Sequence, residues 1–484
     1  MGEVILASEV GIEASRRSVF SLFGTRPDAG WLFGAEVSDM RPGSVVRLAL
    51  PVGPDARSVE GTARIVEVTP WSRIVLRHEA PWAGTITITL RENAGVTSVR
   101  VVATMDERSV QWMGRQRGLE LEADVPVPGA IRLGLLAPMS GPNGVFGRAV
   151  DNCARLAVRE INDNGGLLGR PVHLIVADDA TEPAAARREV ERMIRRDGIH
   201  ALVGSHDSRT YRAARAAVRT VGIPYIYGSV NEGGSDPGPL FRLGEVPEDQ
   251  LTLSIPALMR HTQSGDWYIV GSDYSWPRRI GTCARTVVGR SGGRVRGERY
   301  IPLGQRNFDD LLEHIDRSGA VNIMSAMVGR DAVAFERAFH AAGLRSRTRT
   351  LGALVEESTL EHIGDEAARG IWSVFGYFKD LSTPENKRFV DAYRREYGPW
   401  APPPSTISEC AYEAIQLYAS AVIRARSIES ADVVRELPAA SVRGPRGHLG
   451  LNTQRRLHQV MYLAEAVPGG FQVVEALGRV GTAA

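Results

Sequence analysis

Cysteine is nearly absent from the 484-residue chain: Cys153, Cys283 and Cys410 are odd in number and far apart. That excludes a disulfide framework and a CxxC metal or redox pair, and the three read as small buried hydrophobes of a reducing compartment. Lysine is scarcer still, present only at Lys379 and Lys387. Arginine carries the rest of the positive charge, a pattern we read as codon bias of a GC-rich genome. Neither sign of charge is in excess, since 58 basic and 56 acidic side chains leave a net +2. Such a balance gives no pull toward nucleic acid or an anionic membrane surface. Long apolar runs are missing, so no transmembrane helix is expected and no membrane insertion. The start, MGEVILASEVGIEAS, has Glu3, Glu9 and Glu13 where a signal peptide needs basic residues, and its apolar stretch is short. The expectation is a cytoplasmic protein. Catalytic signatures are also lacking: no GxSxG elbow, HExxH helix, Walker loop or CxxC pair occurs, and the ten histidines are scattered. The glycine-rich GRSGGRVRG at residues 289–297 precedes a strand instead of opening a helix, which argues against a phosphate loop. No catalytic residue, cofactor or metal is expected.

What is present is ordinary globular material, 43% hydrophobic and 24% charged, long enough for two or three domains each with a core. Residues 1–120 alternate with period two over 45–50, 59–68, 72–78, 85–90 and 98–104, with turns at Arg41-Pro42-Gly43 and Asn93-Ala94-Gly95. This describes an antiparallel meander. Its apolar face needs a cover, for which the helical stretches at 15–23 and 106–117 are available, the second being brief. The aromatics Trp31, Trp71 and Trp82 line a pocket there or simply fill the core of a small α+β domain. Residues 125–129, VPVPG, make an extended linker. From Ile131 onward the texture changes, with strands at 131–136, 171–177, 201–203, 223–226, 267–270 and 322–325 separated by amphipathic helices. That alternation predicts parallel sheets with helices on both faces. The loop GSDYSWP at residues 271–277 opens from an apolar strand, at the carboxyl edge where open α/β sheets bind ligands.

The order of these elements resembles two known families. IEASRRSVFSLF, GWLFGAEVSDMRPGSVVRL, GTARIVEVTPWSRIVLRHE and TITITLRENAGVTSVRVVATM are similar to the START-like helix-grip (SRPBCC) superfamily, which includes polyketide cyclases and activators of the Hsp90 ATPase. In that family a long final helix lies across the sheet and encloses a cavity; here it looks truncated. LGLLAPMSGPNG, NDNGGLLGRPVHLIVADDATEP, ALVGSHDS, IPYIYGSVNEG and GSDYSWP with GGRVRGERYIPLGQRNFDDLLEHI resemble the type I periplasmic-binding-protein family. The nearest branch is that of amide, urea and branched-chain amino acid receptors, with GSDY and the later YIPL most similar to cytoplasmic amide-sensing regulators of amidase operons. The resemblance implies a helix-grip domain at 1–122, a linker at 123–130 and a solute-binding domain at 131–475. Lobe one then spans about 131–246 and 378–440, and lobe two about 247–377 and 441–475.

Ligand is expected between the lobes. Ser205, His206 and Ser208 follow the strand at 201–203, so their side chains and the free amides of the next helix's first turn suit a carbonyl or carboxylate oxygen. Tyr227 and Ser229 end the neighbouring strand, at positions where the family places an aromatic and a hydroxyl on the ligand. Tyr274 and Trp276 supply an aromatic lid from the other lobe, and Tyr377 lies at a crossing. Arg330 pairs with an acidic ligand or is a solvated helix-start residue. For an α-amino acid, Asp207, Asp273 or Glu356 must take the ammonium, but Asp207 and Asp273 also suit helix capping. Three functional classes follow. The first is a cytoplasmic sensor of a short amide, urea-like compound or amino acid, acting on a regulator protein or as a homo-oligomer. The second is the substrate-binding component of an ABC transporter. The third is a cyclase or hydrolase built on the helix-grip domain.

Overall fold

The computed structural model describes residues 3–23, 36–37, 39–50, 59–80, 83–93, 95–106, 109, 127–205, 207–234, 238–398, 401–452 and 455–481. Trp31, Trp82, most of the segment at 106–117 and His206 lie outside them, so the truncated final helix and two of the three N-terminal tryptophans are not described.

The N-terminal part is one seven-stranded antiparallel sheet. Its long hairpin pairs Gly84–Asn93 with Val96–Asp106, turning at Gly95, whose φ of +80° suits glycine. The first strand, Glu3–Ile12, pairs with Val96–Asp106 as an outer edge. One face is apolar because the strands alternate: Ile74 and Leu76, Ile86, Ile88 and Leu90 bury together beneath Val19 and Phe23. Val19 comes from the helix Arg16–Ser21, whose N-cap Ser15 accepts the amide of Ser18. Trp71 is 40% exposed, with its ring against Phe20 and Arg17, so it fills neither a core nor a closed pocket.

The remainder is α/β and two-lobed. One parallel sheet joins Ile131–Ala137, Val172–Asp178, Ala201–Gly204, Tyr225–Tyr227 and Leu240–Arg242; the first lies between the second and third. The other lobe repeats the arrangement with Asp266–Ser272 between Arg294–Ile301 and Asn322–Ala326, followed by Arg349–Gly352 and Ile371–Phe375. Two antiparallel strands, Gln459–Val467 and Gly470–Val480, extend this second sheet beyond the strands that the sequence alternation marks. Helices cover both faces, and central strands such as Asn322–Ala326 are buried throughout, which is why they read as continuous apolar runs. Lobe one is completed late in the chain. Its long helix Gly144–Asp163 packs on Thr406–Ala425 and is held by Pro384–Tyr397 through Asn152 Nδ2 on Tyr393 Oη and Tyr397 Oη on the Asn152 carbonyl, both at 2.9 Å.

Where the chain passes between the sheets, polar groups converge in the interior. Arg446 reaches Glu409 at 2.9 Å, Glu413 at 3.0 Å and Glu245 at 3.5 Å, and donates to Gln459 Oε1 at 2.7 Å. Glu245 also accepts the amide of Gly376 and the hydroxyl of Thr406, each at 3.0 Å. An added Cβ at Gly376 would stand 1.9 Å from Gln459 Oε1, so a side chain there would displace the amide to which Arg446 donates. All four charged side chains are at most 3% exposed. Burial pushes Glu409 well above the ordinary carboxyl range, Arg446 opposing and Glu413 adding to it. Removing the cation leaves buried carboxylates uncompensated, so Arg446→Met is expected to lower unfolding free energy by about 3–5 kcal/mol, measured by urea denaturation. A midpoint equal to wild type would show that the cluster does not stabilise the crossings.

Candidate functional site

In an open sheet of this strand order, the loops after the first and third strands diverge and leave a crevice at the carboxyl edge. Each lobe has one such crevice, and the two face each other. Lobe one brings Pro138 and Asn143 from the loop after Ile131–Ala137, and Ser205, Asp207 and Ser208 from the loop after Ala201–Gly204; lobe two brings Tyr274 and Trp276 from the loop after Asp266–Ser272. Phe146, Ser229, Val230, Leu354 and Ile407 complete the lining. The void is about 20 Å³, room for roughly one water, so the lobes are closed on each other. Bonds between lobes hold that state: Ser275 Oγ donates to Glu232 at 2.7 Å and accepts from Arg212 at 2.9 Å, and the Arg330 amide donates to the Pro142 carbonyl at 2.9 Å. The last of these seats Gly329 and Arg330 of lobe two on the Pro138–Asn143 loop of lobe one. At Gly329, with φ of +54°, a Cβ would stand 2.3 Å from the Pro142 carbonyl, so this approach also depends on glycine.

Of the residues expected at the site from sequence, the structure gathers Ser205, Ser208, Ser229, Tyr274 and Trp276 around this void. The hydroxyls of Ser205 and Ser208 are buried, and neither has a hydrogen-bond partner among the described residues; the same holds for the Trp276 indole N–H. Buried polar groups of this kind are satisfied by a bound molecule or by water. Tyr274 stands at the start of the helix Ser275–Arg290, its ring 5.6 Å from the Arg209 guanidinium.

Three expected residues stand elsewhere. Tyr227 packs with Tyr211 and Tyr225, ring centroids 4.4 and 6.3 Å away, because it shares a strand face with Tyr225 and that face meets the outer helices. Glu356 caps the helix Glu357–Ile363, accepting the amides of Ser358 at 3.0 Å and Thr359 at 2.6 Å. Tyr377 is fully buried at a crossing, its ring against Phe389 and not on the void. His206 lies outside the described residues.

The acids expected to meet an ammonium are also engaged. Asp207 caps the helix Ser208–Arg219 through the amides of Arg209 and Thr210, and pairs with the Arg209 side chain at 2.9 Å. Its carboxylate thereby takes first-turn amides that the sequence reading assigns to a ligand. Asp273 pairs with Arg278 at 2.7 Å. Arg330 is only 2% exposed, which overturns the solvated alternative. Sequence reasoning misses Asn143, Phe146, Leu354 and Ile407. The glycine-rich loop at 138–147 signals the first two, since it follows the first strand at the same edge as Ser205. No group of three or more metal-binding side chains occurs among the described residues.

Comparison with known proteins agrees with this architecture. The family model described as Periplasmic binding protein matches residues 130–470, and that of Activator of Hsp90 ATPase homolog 1-like protein matches residues 13–122. The chain is 23% identical over 341 residues to Leu/Ile/Val-binding protein homolog 7 of Brucella abortus, covering 67% of this chain and 85% of that protein. Among solved structures, a solute-binding protein of an R. palustris ABC transporter in complex with benzoate superposes with a TM-score of 0.65 at 23% identity, covering 73% of this chain and 98% of that one. A branched-chain amino acid transporter substrate-binding protein from Streptococcus pneumoniae in complex with isoleucine gives 0.64 at 20% identity, covering 71% of this chain and 99% of that one.

Beside the cleft, Glu357 is buried and its Oε1 accepts the amide of Lys379 at 2.7 Å. Burial pushes its carboxyl up to about 8, the Lys379 amide opposing. A carboxyl raised in the folded state contributes stability fully below its unfolded value near 4.5, and loses that contribution as pH rises through the folded value. Wild type should therefore lose stability between about pH 5 and pH 8, and Glu357→Gln, which keeps the carbonyl acceptor, should flatten that decline. Parallel urea-midpoint profiles for the two proteins would show that Glu357 ionises normally.

Proposed function

We propose that this chain, which belongs to the periplasmic binding protein family, binds a small neutral solute of the amide or urea type between its lobes without transforming it. The observation that carries this reading is the pair of buried hydroxyls, Ser205 and Ser208, without partners among the described residues and opposite Tyr274 and Trp276. A hydroxyl donates to a carbonyl oxygen and accepts from an NH₂ group, so one pair serves both ends of an amide. The acids expected to hold an ammonium are committed to Arg209, Arg278 and a helix cap, which disfavours an α-amino acid. An amino acid or aromatic acid is the second reading, favoured by the Leu/Ile/Val-binding relative and the benzoate and isoleucine complexes, since paired hydroxyls also suit a carboxylate.

The role proposed is that of a cytoplasmic sensor in which solute holds the lobes closed and a regulator protein or second copy reads the state. It is supported by the N-terminal domain, which sits on the solute-binding domain, and by three buried free thiols that suit a reducing compartment. Service as the binding component of an importer is the alternative. Among the described residues no helix is long and apolar enough to cross a membrane.

A thermal-shift screen of acetamide, butyramide, urea, leucine and benzoate tests the reading. The matching solute at about 100 times its Kd should stabilise the protein by about 2.7 kcal/mol. Ser208→Ala and Tyr274→Phe should each weaken binding about five- to 150-fold, with little change in unfolding midpoint. Wild-type affinity in both variants would move the site elsewhere, and no shift with any of these solutes would count against the solute class.

A further inference from the structure

The N-terminal domain touches both lobes. Its strands Val59–Thr69 and Arg73–Ala80 lie against the helix Gly144–Asp163 of lobe one, and Arg77 Nη1 comes to 3.7 Å from where a Cβ on Gly398 would stand. From the first of those strands Arg64 reaches lobe two. Its Nη2 donates to Glu361 Oε2 at 2.7 Å, while Nε donates to Glu79 at 2.8 Å and Nη1 to the Gly43 carbonyl at 3.1 Å. Arg64 is 5% exposed and Glu79 4%. Burial opposes the charge on Arg64, but the carboxylates of Glu79 and Glu361 outweigh it.

The two helices so held both begin at the cleft. Gly144–Asp163 starts beside Asn143 and carries Phe146, both on the void; Glu357–Ile363, which carries Glu361, starts just after Leu354, also on the void. These helices pack on each other across the lobes. A movement that separates the lobes draws one helix from the other, and the domain cannot then keep its strands on the first and Arg64 on the second.

We propose that the N-terminal domain is a clasp across the two lobes, with the Arg64–Glu361 ion pair as its catch. Opening the cleft strips Arg64 of one carboxylate at a buried position, so the domain favours closure and its own docking reports whether the lobes are shut. The inference rests on the two-lobed solute-binding reading only in that the lobes open. It needs no particular solute.

The test is amide hydrogen exchange on the full chain without added solute, comparing wild type with Arg64→Met, Glu361→Ala and the double variant. In each single variant the amides of residues 207–211, 274–276 and 278, at the cleft and on elements other than those bearing the mutated side chains, should exchange about fivefold faster or more. The strands Ile131–Ala137 and Asp266–Ser272 should keep wild-type rates. The double variant should exchange no faster than the faster single variant, because both remove one interaction. Arg64→Met leaves Glu79 buried without its cation, so if it does not fold, Glu361→Ala carries the test, its side chain being 30% exposed. Unchanged cleft exchange in Glu361→Ala would overturn the clasp. Acceleration spread equally over the lobe cores would overturn it too, as a general loss of stability. Because no solute enters the measurement, either failure leaves the solute reading standing.

Discussion

Arg446 is the point about which the two lobes are organised. A molecule of two sheets joined by several passes of chain bends reproducibly only if those passes are fixed to one another. Arg446 and Glu245 do this, since they draw together Gly376, Gln459, Thr406 and the helix carrying Glu409 and Glu413. Buried charge is costly unless paired, so the arrangement is confined to the one geometry that pairs it. An apolar cluster of equal volume would tolerate sliding. Directional bonds do not, and they set the two switch-point crevices face to face.

The closed cleft makes each polar group in it count. On the proposed reading, the Ser205 and Ser208 hydroxyls meet a solute with little water present and bond it more strongly than they would in solvent, and an unmatched solute leaves them unsatisfied. A neutral solute of the proposed class would then be discriminated by hydrogen-bonding pattern more than by charge. Phe146, Val230, Leu354 and Ile407 limit the size of the apolar body that fits beside those groups.

Features set by neighbours along the chain are legible in the sequence. Period-two alternation locates the N-terminal strands, and continuous apolar runs followed by Ser, Asp and aromatics locate the edge at which Ser205 and Tyr274 meet. Tyr227 is misplaced because a three-residue strand offers no periodicity from which to tell its faces. Glu356 is misplaced because a helix cap and a ligand contact demand the same residue type at the same position. The longest-range features give no signal at all: Arg64 and Glu361 are 297 residues apart, and Arg446 and Glu245 have nothing around them that marks a pair. The last two strands, which run antiparallel on the second sheet, likewise follow from which edge is vacant and not from their own residues.

The late completion of lobe one bears on how the chain is made. Asn152 bonds through its side-chain amide to Tyr393 and through its backbone carbonyl to Tyr397, 241 and 245 residues downstream, so the helix Gly144–Asp163 cannot finish its packing until most of the chain has left the ribosome. During that interval its apolar side, with Val150, Cys153 and Ala157, would face water. The N-terminal strands that lie on the same helix are synthesised first and are antiparallel neighbours in sequence, so their pairing closes only short loops and needs nothing downstream. A domain placed ahead of lobe one can thus cover part of an unfinished helix while the rest of its partners are still being translated, which gives the order of the two domains along the chain a physical use in synthesis.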